Sequence, residues 1–185
     1  VLGVATLTPA GLNGSVFAGL AHGVITGLLF FLAGAIKDRH GTSDFDELGG
    51  GLYVRLPRLG ALLTFAAIAS LGLPGLAGFW GEFPAILSAY NPAPALSEEL
   101  FRVYMVIAAI GTVLAAGYLL WMYQRVAMGT PKPEFEDAHI HDVHVSEWIA
   151  WSPLLLSIVV FGLFPNLIFS VTNDAAVSIT RAFSG

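Results

Sequence analysis

The sequence SLGLPGLAGFWGEFP at residues 70–84 lies inside a long apolar segment and decides the fold. Glycine recurs at every third position from Gly72 to Gly81, and Pro74 removes a backbone donor. A regular α-helix is not expected to continue through this pattern. At membrane depth, irregular backbone is tolerated only where protein buries it or a water-filled cavity satisfies its polar groups. The stretch therefore predicts a broken helix near residues 72–81, a device that transporters use to handle ions.

The rest of the chain is too apolar for an ordinary soluble domain. Of its 185 residues, 56% are hydrophobic and 11% are charged, and the mean hydropathy is +0.75, whereas soluble domains carry about a quarter of their residues as charges. A very apolar soluble bundle is the alternative, but four uncharged segments reach the ~20 residues that a helix needs to cross a membrane. These segments are residues 1–36, 59–81, 103–124 and 148–173.

The segments predict an all-α fold, a polytopic transmembrane helical bundle that forms a single membrane domain over residues 1–185. Turn-forming residues at 8–14 are expected to separate the end of one helix, at residues 1–7, from the next. About five further transmembrane helices are predicted at residues 15–37, 58–73, 76–90, 98–128 and 147–170. Ser97 is the predicted N-cap of the fourth of these helices, and residues 172–185 are expected to be a short polar end.

Charge and cysteine content exclude several functions. The net charge is −5 and no basic cluster exists to neutralise phosphates, which argues against a nucleic-acid partner. The absence of cysteine excludes disulfides, iron–sulfur ligands and a thiolate nucleophile in this chain. We expect no cofactor and no metal in the chain itself. Because it starts at Val1 inside an apolar run, we interpret the sequence as a fragment.

Glu82 is the only carboxylate embedded in apolar sequence, since its nearest charged neighbours along the chain are Arg58 and Glu98. A charge at membrane depth costs a few kcal/mol even on lenient scales. One alternative is that Glu82 is a helix-end carboxylate, stabilised by the helix dipole after the break. The interpretation we favour is a protonatable site on an ion path.

A second polar position lies on the first full span. Gly19, Gly23 and Gly27 are four residues apart, so we expect a neighbouring helix to approach this face closely. His22 and Thr26 form the adjoining stripe, and a histidine can relay protons near neutral pH. A neutral histidine that only joins two helices by a hydrogen bond is the other interpretation. A second polar site at Glu82 favours the relay.

The hydrophilic loop before the last span carries acidic and histidine side chains without a recognised metal-binding spacing. We interpret it as a solvated connection between helices. Its candidate ligands are Asp137, His139, His141, Asp142, His144 and Glu147.

The chain resembles the antiporter-like subunits of respiratory complex I, which is NADH–quinone oxidoreductase. The segments AHG at 21–23, TG at 26–27 and LF at 29–30 resemble the histidine-bearing helix of these subunits. LPG at 73–75 and GFWGEF at 78–83 resemble the broken helix of the chain M type. Other antiporter-like chains usually carry a lysine where Glu82 stands, so Glu82 points to chain M. The resemblance covers almost the whole chain.

The resemblance implies the C-terminal portion of a proton-translocating subunit with two inverted repeats, of which this chain is the second half. The implied proton path includes His22 and Glu82, and we add Thr26 on the same stripe. Quinone reduction elsewhere in the complex would drive pumping, so the chain is part of a translocase and performs no redox chemistry. A subunit of an Mrp-type cation/proton antiporter is the alternative function.

The resemblance also implies partners and a location. Flavin and iron–sulfur clusters are expected in other subunits, and chain L-type and chain N-type membrane subunits are the expected neighbours, together with the lipid bilayer. The expected location is that of a multi-pass protein of the bacterial plasma membrane. A thylakoid or mitochondrial inner membrane is the alternative.

Overall fold

The structure is a computed structural model that describes residues 1–133 and 140–183. Over these residues the fold contains helices and no β-strand, which confirms the predicted all-α class. The helices are α1 (Leu2–Ala5), α2 (Pro9–His40), α3 (Phe45–Leu48), α4 (Leu52–Arg55), α5 (Pro57–Ser70), α6 (Ala77–Leu87), α7 (Glu98–Val126), α8 (Val145–Leu163) and α9 (Asn166–Phe183). A short 3-10 helix, Ser88–Tyr90, follows α6.

The central helix α2 starts at Pro9, six residues earlier than predicted. The hydroxyl of Thr8 accepts a hydrogen bond from Gly11 N at 3.1 Å, and Pro9 occupies the first helical position. Thr-Pro therefore acts here as a helix start and not as part of a longer turn, because proline at that position loses no intrahelical hydrogen bond. The expected interruption is confined to the few residues between α1 and α2.

The broken helix is present within the predicted region, but the break is shorter than predicted, since Gly78 and Gly81 lie inside a helix. Helix α5 ends at Ser70, and α6 begins at Ala77. Gly72 and Gly75 between them adopt positive φ angles of 67° and 94°, which glycine accepts without steric cost. Proline and glycine at residues 72–75 thus end one helix and permit the turn into the next.

Helices α5 and α6 run along α2 as the two halves of one antiparallel unit. Ser70 lines a cavity with His22, near the middle of α2, while Ala85 lies beside Gly14, near its start. The two halves are about 21 Å and 16 Å long, and a span needs ~30 Å. The predicted helices at 58–73 and 76–90 are therefore not two separate spans but one interrupted span.

A second interruption separates α8 from α9. The predicted helix at 147–170 ends at Leu163, and α9 restarts at Asn166 after Pro165. Residues 172–183 are helical and not a polar end. Their polar side chains face α2: the Thr172 hydroxyl donates to Asn13 Oδ1 at 2.7 Å, and Asn13 Nδ2 donates to Asn173 Oδ1 at 3.1 Å. This part-buried polar pairing helps to explain a helix whose sequence is only weakly apolar.

Three of the described helices are long and apolar enough to cross a membrane on their own: Pro9–His40, Glu98–Val126 and Val145–Leu163. The interrupted α5–α6 unit lies beside them. The described chain is a polytopic membrane bundle, with α7 starting at residue 98 as predicted. Its predicted cap is confirmed, since the hydroxyl of Ser97 accepts from Leu100 N at 3.4 Å.

One end of the bundle is fixed by polar contacts over the C-terminus of α2. Arg39 forms a salt bridge with Glu147 at 2.6 Å, and their side chains are only 10% and 23% exposed. The Asp142 carboxylate accepts hydrogen bonds from Arg58 N at 2.9 Å and Leu59 N at 3.1 Å. Asp142 therefore caps α5, whose own N-cap residue makes no side-chain hydrogen bond. The expectation of a merely solvated loop is wrong for Asp142 and Glu147.

Candidate functional site

Glu82 and His22 line the same cleft, although 60 positions separate them in the sequence. The cleft has a volume of about 390 Å³ and lies between α2 and the interrupted α5–α6 unit. Its other polar lining residues are Ser15 and Ser70. The structure thus brings together both of the titratable residues that the sequence singled out.

The Glu82 carboxylate lies against the helix break. A Cβ atom added to Gly72 would be 2.8 Å from Glu82 Oε2, so the carboxylate packs directly against this glycine of the break. Among the described residues, no hydrogen bond or ion pair within 4 Å holds this carboxylate, and Glu82 is exposed to the cleft. The carboxylate is therefore accessible from the cleft.

Thr26 lies one helical turn after His22 and contacts its ring. The Thr26 hydroxyl is 3.3 Å from His22 Nδ1 and 3.4 Å from Nε2. A hydroxyl can donate to or accept from an imidazole, so this contact can serve either tautomer. The predicted His22–Thr26 stripe is thus a local polar pair on the surface of α2.

Three cavities meet along α2 and share these residues. Ser15 and Glu82 also line a second cavity of about 210 Å³, which reaches Ile86 near the start of α2. His22 and Ser70 also line a third, mainly apolar cavity of about 500 Å³, which reaches Ser43 beyond the other end of α2. Glu82 and His22 therefore stand at the two junctions of a row of cavities along the bundle.

Ser15 and Ser70 line the cleft although the sequence does not predict them as site residues. The Ser15 hydroxyl is a buried polar atom without a hydrogen-bond partner among the described residues. Ser70 is the last residue of α5, so the helix break itself places Ser70 beside His22. A search for polar residues next to the predicted break would have found Ser70. Ser15 has no comparable signal in the sequence.

The glycine face at Gly19, Gly23 and Gly27 does not pack against another described helix. A Cβ atom added to any of these three glycines would meet nothing within 4 Å. The close approach occurs on another face, where a Cβ atom on Gly81 would lie 2.8 Å from Ala18 N and would collide with Ala18 Cα. In the part of the chain that the structure describes, α6 therefore uses its own glycine, Gly81, to pack on α2.

The polar loop provides no metal centre among the described residues. His141 and His144 have ring centroids 5.7 Å apart, but no third ligand of the described chain joins them. Asp137 and His139 lie outside the described residues.

The fold and the site define a class of protein: a multi-pass helical membrane protein in which a broken helix places a carboxylate beside a histidine on a neighbouring span. Residues 1–96 match the family model described as NADH:quinone oxidoreductase/Mrp antiporter, transmembrane. The chain belongs to this family.

Two curated relatives are similar to this protein over nearly the whole chain. "NADH-quinone oxidoreductase subunit M" of Rickettsia felis is 35% identical over 182 residues, which is 98% of this chain and 35% of the relative. "NAD(P)H-quinone oxidoreductase chain 4, chloroplastic" of Psilotum nudum is 35% identical over 189 residues, covering 100% of this chain and 36% of the relative. The chain thus spans about a third of the length of these relatives.

A solved structure supports the same assignment. A chain in the structure titled "Respiratory complex I from Thermus thermophilus with bound NADH" superposes with a TM-score of 0.85 at 30% identity. The match covers 100% of this chain and 36% of that chain.

Gly81→Ala tests the packing that holds α6 against α2. The added methyl group would force the two helices apart, so we expect the free energy of unfolding to fall by roughly 1–3 kcal/mol. Gly23→Ala is the matched control, because its methyl group enters open space. Thermal unfolding of the detergent-solubilised protein measures both variants. Equal destabilisation by the two substitutions would show that the Gly23 face is packed in the complete protein.

Proposed function

We propose that the chain is part of a proton-translocating membrane subunit of an NADH–quinone oxidoreductase, of the chain M type. The observation that carries this proposal is the cleft in which Glu82, at a helix break, faces His22 on the adjacent span. The names of the relatives support it, since they are quinone oxidoreductase subunits. The alternative, a subunit of an Mrp-type cation/proton antiporter, has support only from the breadth of the matching family.

Protons move between Glu82 and His22 in this proposal. A carboxylate without a fixed partner can accept a proton from water in the cleft, and an imidazole can accept one proton while donating another. Ser70 lines the same cleft and can hold a bridging water. From His22 the proton continues past the Thr26 hydroxyl into the third cavity.

The irregular backbone at the break lowers the free-energy cost of placing this site in a membrane. Its unpaired backbone groups need water or protein partners, and a water-filled cleft would supply them. The same water would solvate Glu82 when the carboxylate is charged, which reduces the cost of a charge at membrane depth. The break and the carboxylate therefore depend on the same hydration.

The redox steps belong to other subunits in this proposal. Quinone reduction there, by flavin and iron–sulfur clusters, would supply the energy, so this chain contributes to a translocase without redox chemistry of its own. Chain L-type and chain N-type subunits are the proposed neighbours in the bilayer. The proposed location is the bacterial plasma membrane, with a thylakoid or mitochondrial inner membrane as the alternative.

The distribution of basic residues supports an orientation. Six of the eight lysine and arginine residues lie at the end of the bundle where α2 terminates, and Arg102 and Arg181 lie towards the other end. Basic residues favour the side from which the protein inserts. We therefore place this basic end on the cytoplasmic side, or its organellar equivalent. Its six basic residues are Lys37, Arg39, Arg55, Arg58, Arg125 and Lys132.

Single-cysteine labelling tests this orientation, because the chain contains no native cysteine. In membranes of known sidedness, Ser43→Cys should react with an impermeant maleimide added on the cytoplasmic side. Ser97→Cys, at the opposite end, should react from the other side. The reverse pattern would contradict the orientation.

Glu82→Gln tests the central residue of the path. The amide keeps the shape of the side chain but cannot carry the proton, so we expect normal assembly and a loss of proton pumping of about 100-fold, within the usual range for an acid–base group. Glu82→Asp should retain part of the activity. Pumping and the amount of assembled complex are measured in the same membranes. Wild-type pumping by Glu82→Gln would contradict the proposed function.

His22→Ala separates a relay from a structural contact. A relay predicts that pumping falls about tenfold or more while the amount of complex stays close to normal. Thr26→Val is the companion variant, because it removes the hydroxyl that contacts His22 and leaves the imidazole ring in place. If pumping and protein level fall in parallel in His22→Ala, the histidine serves packing alone.

A further inference from the structure

The break between α5 and α6 touches the end of α8, where a second helix break begins. Gly162, in the last turn of α8, has no room for a side chain, because a Cβ atom there would lie 2.5 Å from Leu76 Cα and would collide with Gly75 O. Gly75 and Leu76 belong to the break between α5 and α6. Phe164, two residues after Gly162, begins the break between α8 and α9. The α5–α6 break is therefore in backbone contact with the last turn of α8, directly before the α8–α9 break.

Trp80 joins the same segments by a hydrogen bond. Its indole Nε1 donates to the carbonyl oxygen of Gly162 at 2.8 Å. That carbonyl is one of the last four of α8, which have no intrahelical donor once the helix ends. At membrane depth an unsatisfied carbonyl is costly. An α6 side chain thus satisfies a backbone group that the end of α8 leaves open.

Trp80 also fixes the rotation of α6. Its ring meets the Phe169 ring of α9 edge-on, with centroids 6.4 Å apart. Glu82 follows two residues later and therefore lies about 200° around the helix from Trp80, on the side of the cleft that it shares with His22. Because Trp80 is anchored to α8 and α9, the opposite side of α6 is held towards α2.

We propose that Trp80 is a positioning residue for Glu82, and that its bond to Gly162 joins the two helix breaks into one structural unit. Trp80 does not line the cleft that holds Glu82 and His22, so it acts only through the placement of α6. This inference rests on the proposed function of Glu82. It assigns to the α8–α9 break a role in proton transfer. Neither the sequence of that break nor its separation from Glu82 along the chain indicates such a role.

Trp80→Phe in the complete protein, assembled in its own membrane complex, tests the proposal. Phenylalanine keeps an aromatic ring and removes the N–H donor, leaving the Gly162 carbonyl without it. We expect amide hydrogen exchange over residues 70–82 to become about tenfold faster, as loss of a partner for a buried acceptor predicts. The number of protons pumped per quinone reduced should fall, while quinone reduction and the amount of complex remain unchanged.

Trp148→Phe is the matched control, since Trp148 is exposed on α8 and makes no hydrogen bond among the described residues through its indole. A second pair varies the backbone contact. Gly162→Ala should produce the effects of Trp80→Phe more strongly, and Gly111→Ala on α7, where a Cβ atom meets nothing within 4 Å, should produce neither. If Gly162→Ala does not assemble, the tryptophan pair alone decides.

The outcomes separate this inference from the proposed function. Unchanged amide hydrogen exchange over residues 70–82 in Trp80→Phe would overturn the proposal that this tryptophan joins the two breaks. Faster exchange with an unchanged proton-to-quinone ratio would overturn the positioning role. Pumping by Glu82→Gln at the wild-type rate would overturn the proposed function instead, and it would leave the exchange result as evidence for the joined breaks.

Discussion

Every backbone N–H and C=O group that a helix break frees inside a membrane must find a partner, and the rest of this structure depends on how that constraint is met. Helices α5 and α8 both end at a break, after which the chain continues as α6 and α9. Trp80 satisfies a carbonyl at the end of α8. At the end of α5, glycine lets the chain turn and brings the Glu82 carboxylate against Gly72. At both breaks, a side chain of α6 therefore contacts backbone at the end of the interrupted helix.

The same constraint explains why the candidate site lies where it does. Helix α6 packs on α2 through Gly81 and Ala18, and this close approach sets Glu82 beside the His22 cleft. At the basic end, Asp142 caps α5 and Arg39 ties the loop to α2. These contacts hold the start of α5 and the first half of α6, so the irregular segment between them can border a cleft without loss of the fold. In the proposed proton path, packed helices would flank a hydrated cleft.

Local chemistry was predictable from the sequence, and contacts between distant residues were not. The break at residues 71–76 follows from its glycines and proline, and the Ser97 cap follows from a serine before two glutamates. The start of α2 was misplaced because Thr8 and Pro9 suit a turn as well as a helix start. The sequence predicts a polar end at residues 172–183, because it does not show that this helix contacts Asn13. That residue lies 160 positions before its partner Asn173. The sequence predicts a solvated loop at Asp142 for the same reason, since the partners of Asp142 are backbone groups of α5.

The most direct measurement is a structure of the complete protein in its membrane complex, at a resolution that shows ordered water. The account predicts water molecules in the cleft that connect the Glu82 carboxylate, Ser70 and the His22 ring by hydrogen bonds. Their number should be enough to satisfy the free backbone groups of the break. A cleft filled by apolar side chains, with Glu82 dry and separated from His22, would contradict the account.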